Sequence, residues 1–245
     1  MIFHKTCIVL FTVAAAIVLV SCAVRSPVLQ ADVAPVAHGS KQPDLKAVYS
    51  DLAVAGGKVF TLNPKTSTVR VYAFRGGRAA KMGHNHVLSA PQFTGLLYLA
   101  PSGASGSRFD LEFRLDELEF DKPEHRSPLG NAFPAVLPPE AIKGAHDHML
   151  GEDNLQADRF PFVRIHSLQI SGEAPKFAAK VEIEVHGQKR EMWIPLTVEG
   201  LPDRLSVTGA FVLRQSDFGA QPYTVLGGLL AMQDEVVIEF HLIGS

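Results

Sequence analysis

The chain has 245 residues, a formal net charge of −2, 47% hydrophobic residues and only two cysteines, Cys7 and Cys22. It carries no basic tract, so nucleic acid is excluded as a partner. Two cysteines this close to the N-terminus exclude a Cys-based zinc site and a thioredoxin-like motif in the rest of the chain.

The first segment carries Lys5, followed by an apolar run from Cys7 to Val20 and the small residue Ser21. These are the parts of a secretory signal. Cys22, directly after Leu19-Val20-Ser21, resembles the acylation site of a bacterial lipoprotein signal. On that resemblance residues 1–21 are removed and Cys22 becomes the lipidated N-terminus, which leaves no free thiol and no disulfide. A run of fourteen residues is shorter than the ~20 that a spanning helix needs. The chain is therefore expected to be exported and held by lipid at the periplasmic face of a bacterial membrane. Ala23 stands where an aspartate would signal retention at the inner membrane, which favours the outer membrane.

From Ala23 to about Gly57 the chain is rich in Ala, Pro, Val and Ser without sustained periodicity, and it reads as a flexible tether. Residues 58–245 then read as one domain, long enough for a sizeable core and without internal repeats.

Period two dominates this domain. Thr68–Phe74 and Val87–Leu99 read as strands. Phe109, Leu111, Phe113 and Leu115 alternate with Asp110, Glu112, Arg114 and Asp116. Val181, Ile183 and Val185 alternate with Glu182, Glu184 and His186, and Gly187 opens a turn. Met192, Ile194, Leu196 and Val198 continue the pattern, with Pro195 favouring an edge or a bulge. Leu205, Val207, Phe211 and Leu213 follow, and Val236, Ile238, Phe240 and Leu242 close the series. Pro138-Pro139 followed by Glu140–Leu150 predicts one short helix, with proline at its start and an acid in its first turn. Seven or eight strands with one polar face imply an all-β antiparallel barrel or sandwich.

Chemistry-bearing clusters are few. His84-Asn85-His86 lies at a strand end, where residues two apart share a face, so two imidazoles could converge on one metal. His146-Asp147-His148 could do so only in a loop, because residues two apart do not share a helix face. Were the clusters to meet, His84, His86, His146 and His148 would form a four-His site. No nucleophile elbow, no phosphate-binding loop and no paired acid and base stand out, so no catalytic residue is expected and the chain is read as a non-enzyme.

The order of segments resembles the YceI-like family of polyisoprenoid-binding proteins. The segments are Val69–Phe74; Gly83-His84-Asn85-His86-Val87; Phe93-Thr94-Gly95; and Phe109–Leu115. Met149-Leu150-Gly151, Arg159-Phe160-Pro161-Phe162-Val163 and Val185-His186-Gly187-Gln188 follow. Phe211–Gly219, with its Arg-x-x-Asp-Phe-Gly run, and Asp234–Leu242 complete the set. The resemblance implies an eight-stranded, lipocalin-like antiparallel barrel with one crossover helix. It also implies an apolar tunnel for an isoprenoid chain of the quinone or polyprenyl class, and no enzyme activity. The doubled His pairs and the Pro-rich insert from Pro123 to Pro139 depart from the family pattern.

Phe93, Phe109, Phe113, Phe211 and Phe240 are the expected wall residues of that tunnel. Arg214 and His86 are candidates for a headgroup contact, with Arg214 equally a partner for Asp217. No cofactor is expected apart from such a lipid. Two other readings stay open: a metal-dependent carrier or hydrolase built on the four histidines, and an envelope module whose core is filled. Oligomeric state is not read from the sequence.

Overall fold

The computed structural model describes residues 44–54 and 56–245. The signal segment, Cys22 and most of the expected tether lie outside these residues. In chain order the elements are α1 (Leu45–Val54), β1 (Lys58–Thr61), β2 (Thr68–Gly76), β3 (His86–Ser89), β4 (Thr94–Ala100) and β5 (Gly103–Arg114). Next come β6 (Glu119–Phe120), α2 (Pro123–Arg126), α3 (Pro139–Leu150), β7 (Phe162–Glu173) and β8 (Lys176–Val185). The chain ends with β9 (Gln188–Glu199), β10 (Leu205–Arg214), β11 (Thr224–Val225) and β12 (Leu230–Gly244).

All strands join one antiparallel sheet in the order β1-β4-β5-β7-β8-β9-β10-β12-β2-β3-β6, with β11 on β12. The all-β antiparallel class is as expected, whereas the count of eight is corrected to twelve. Short strands too brief to show period two make up the difference: β1 and β3 have four residues each, β6 and β11 two each. The sheet curls on itself. Backbone bonds between Thr61 and Ser245, and from the Asn63 N–H to the Ile243 carbonyl, tie the end of β1 to the end of β12.

The alternating stretches form the long strands for the expected reason, with one face apolar and turned inward. Val181, Ile183 and Val185 of β8 are buried, as are Ile194, Leu196 and Val198 of β9, in one core with Leu111, Phe113 and Val207. The run Val87–Leu99 is two strands. Pro91 interrupts it, and Phe93 falls in the connection between β3 and β4. Both faces of this region are covered, so it lacks clean alternation. Leu97 and Leu99 face the interior, while Leu96 and Tyr98 pack outward against α1. On β2 and β3, Tyr72 and Val87 pack outward under Phe133 of the long crossover. Gly95 has no room for a side chain, since a Cβ there would stand 2.6 Å from Leu62 Cδ1.

Helix α3 begins at Pro139, as the prolines predict. The stretch 44–54 is a correction: expected as tether, it folds as α1. Its Tyr49 is buried to 1% exposure beside Leu96, Tyr98 and Ala100. The Tyr49 hydroxyl donates to Asp110 Oδ2 at 2.7 Å. His166 Nδ1–H donates to the other oxygen of Asp110 at 2.6 Å, and Arg108 Nη2 adds a third contact at 3.2 Å. Burial, reinforced by the Asp110 carboxylate, pushes the Tyr49 phenol far above its usual value, so it stays a neutral donor.

Candidate functional site

The inward face of the curled sheet surrounds a cavity of about 300 Å³. Phe109 and Phe113 of β5, Phe211 of β10 and Phe240 of β12 line it, as expected from the sequence. Met149 of α3, with Leu115, Leu118 and Leu155 of the crossover, lines it from the end where the long connections gather. Among the described residues, Ser107 and Gln215 are the only polar side chains in the wall. Both are satisfied within the protein: Ser107 Oγ donates to the Gly103 carbonyl at 2.9 Å, and Gln215 Nε2 to the Gln233 carbonyl at 2.8 Å. Such a wall offers an occupant apolar contact and no charge.

Two expected site residues fall elsewhere. Phe93 packs against the same core but does not line the cavity, since it falls in the connection that follows Pro91. Arg214 points away from the cavity, with its side chain 56% exposed. Its Nε and Nη2 donate to Asp217 at 3.2 and 2.9 Å, so its role is to fix the turn after β10.

The histidines do not assemble as a four-His site. The His84 and His86 rings are 6.5 Å apart. His146 meets the edge of Phe120 at 5.1 Å, and His148 packs on Tyr223 at 4.2 Å. Among the described residues, no group of three or more His, Cys, Asp or Glu side chains is placed to hold a metal.

His86 belongs instead to a network that the sequence did not reveal. Its Nδ1–H donates to Asp121 Oδ2 at 2.6 Å, and the Val87 N–H donates to Asp121 Oδ1 at 2.9 Å. Arg126 Nη1 closes an ion pair on Asp121, and both side chains are fully buried. Arg126 also donates to the carbonyls of Asn85 (2.9 Å) and Pro134 (2.6 Å). Burial alone would raise the Asp121 carboxyl, but His86, the Val87 N–H and Arg126 outweigh it and hold the group below its usual range. Nothing in the sequence distinguishes Asp121 from a solvated loop acid. The network pins α2 and the crossover to β3, and His86, Asp121 and Arg126 do not line the cavity.

The sequence matches the model of the YceI-like domain over residues 60–243. The chain belongs to the YceI-like family. BcnA of Burkholderia cenocepacia is similar in structure, with a TM-score of 0.55 at 18% identity, covering 75% of this chain and 99% of that one. A polyisoprenoid-binding domain from Saccharophagus degradans, implicated in plant cell wall breakdown, is similar with a TM-score of 0.50 at 11% identity. That match covers 76% of this chain and 97% of the other. At these identities the two structures show a shared fold. No curated protein matches the sequence.

Proposed function

We propose that this chain is a carrier and not an enzyme, holding an isoprenoid-type lipid of the quinone or polyprenyl class inside the curled sheet. One observation carries the reading: a wall drawn from most of the strands in which, among the described residues, only Ser107 and Gln215 are polar, both already bonded within the fold. Such a wall selects for apolar length, since each methylene buried contributes about 0.8 kcal/mol. The description of the Saccharophagus domain as polyisoprenoid-binding supports the same ligand class. Export, acylation at Cys22 and attachment to the outer membrane belong to this proposal, because they hold the cavity near bilayers that contain such lipids.

Titration of the full chain with a fluorescent polyprenyl probe tests it. Saturable binding, displaced by unlabelled polyprenol, is expected. Absence of saturable binding to folded protein overturns the reading.

A further inference from the structure

The sheet has a seam. β8 pairs with β9 over ten residues, and β10 with β12 over ten. Between β9 and β10 the ladder holds only four pairs, from Ser206↔Glu199 to Gly209↔Leu196. Continued in register, Pro195 would face Ala210, Ile194 would face Phe211, and Trp193 would face Val212.

Pro195 accounts for the stop. The Val198 N–H donates to the Pro175 carbonyl, on the β8 side, at 2.8 Å. Backbone groups alternate sides along a strand, so the nitrogen and carbonyl of Pro195 face β10. The Pro195 oxygen lies 3.0 Å from where a Cβ of Gly209 would stand, consistent with that direction. The donor that would carry the ladder past Gly209 is therefore missing.

From Met192 to Pro195 and from Ala210 to Leu213 the two lips are apolar on both faces, with the charged pair of positions Glu191 and Arg214 beyond them. Ile194, Phe211 and Leu213 line the cavity on the inside. On the outside Trp193 is 51% and Val212 54% exposed, two of the few large apolar side chains left in water. At the far end the seam is closed again, where His186 Nδ1–H donates to the Phe218 carbonyl at 3.1 Å. The result is a bounded slit whose sides offer a continuous apolar path from cavity to exterior. Water-facing strand positions are ordinarily polar, so an exposed tryptophan and valine flanking an unpaired seam call for a reason.

We propose that the seam between residues 192–195 of β9 and 210–213 of β10 is a lateral portal for the apolar chain of the ligand. This rests on the lipid-binding reading above. The chain passes sideways between the strands, with Trp193 and Val212 as its outer guides and Phe211 at its inner face.

The test uses the full chain with Cys7→Ser and Cys22→Ser, so that only introduced thiols react. Trp193→Cys with Val212→Cys is joined across the seam by a short bismaleimide. Thr197→Cys with Thr208→Cys joins the same strands where the ladder is intact. Uptake and release of the fluorescent polyprenyl probe are then timed. Joining the seam is expected to slow both by about tenfold or more, while probe loaded beforehand stays bound and the Thr197/Thr208 link has little effect. A second variant, Pro195→Val, restores the missing donor without a cross-link and is expected to slow exchange in the same direction. Equal rates with and without the seam link, or equal slowing by the control link, overturn the portal alone. Failure of every form to bind the probe overturns the lipid-binding reading, and the portal with it.

Discussion

Tyr49 and Asp110 are 61 positions apart in the chain, and the phenol of the first donates to the carboxylate of the second at 2.7 Å. This bond fastens α1 to the outer face of the sheet, beside the same β5 whose Phe109 and Phe113 line the cavity within. Tyr49→Phe keeps the ring packing and removes one of three donors to a buried carboxylate. Loss of about 1–3 kcal/mol is expected in urea unfolding of the full chain. An unchanged unfolding midpoint would mean that α1 contributes nothing through this bond.

Asp121 sets an acid limit on the fold. Its native carboxyl sits below the usual range, so the unfolded chain takes up the proton first as pH falls. Its stabilisation is therefore complete above about pH 4 and disappears as pH drops through the lower native value. Asp121→Asn should flatten the acid side of the stability profile, measured by urea midpoints from neutral to acid pH. A variant profile parallel to the parent's would contradict this.

Arg126 is the stronger probe of the same network. Its removal leaves the Asp121 carboxylate buried without its cation, which costs about 3–5 kcal/mol. Arg126→Met is expected to lower the thermal midpoint sharply at neutral pH. The parent and variant should converge in acid, where Asp121 is protonated in both; a gap that stays constant with pH would refute the pairing.

Zinc should leave the protein unmoved. With His146 on Phe120, His148 on Tyr223 and His86 donating to Asp121, no third ligand among the described residues joins the His84–His86 pair. Thermal melts with added zinc are expected to overlay those without it. A saturable rise in midpoint, abolished by His84→Ala, would restore the metal reading.

Phe211→Asn places an amide in the wall at a half-buried position, where the fold tolerates it better than at Phe113. Affinity for a polyprenyl probe is expected to fall by about tenfold or more. Full affinity in a folded variant would show that the cavity wall does not hold the ligand.

Much of this architecture is written in alternation. β5, β8, β9, β10 and β12 each have one covered and one solvated face, and that asymmetry is what period two records. Pro138-Pro139 announced α3 for an equally local reason. Thr68–Phe74 was read as a strand and is β2; the region that misled is Val87–Leu99, covered on both sides, with β3 under Phe133 and β4 between the cavity and α1. Helix α1 is short, and its one buried anchor, Tyr49, finds its partner far along the chain. Nothing in the sequence marks Asp121 and Arg126, because only their tertiary surroundings bury them. Of the wall, four phenylalanines were legible because they sit on alternating strands, whereas Phe93 was misplaced by a proline break; of the two readings of Arg214, the structure takes the pairing with Asp217. Pro195 was read as an edge or bulge, and it forms a local edge inside the sheet.

Whether the cavity holds a lipid is decided by native mass spectrometry of the freshly purified full chain. An adduct of several hundred daltons or more, lost in organic solvent and unaffected by chelators, is the predicted result. A bare polypeptide mass, in protein that also takes up no polyprenyl lipid when offered it, would contradict the account.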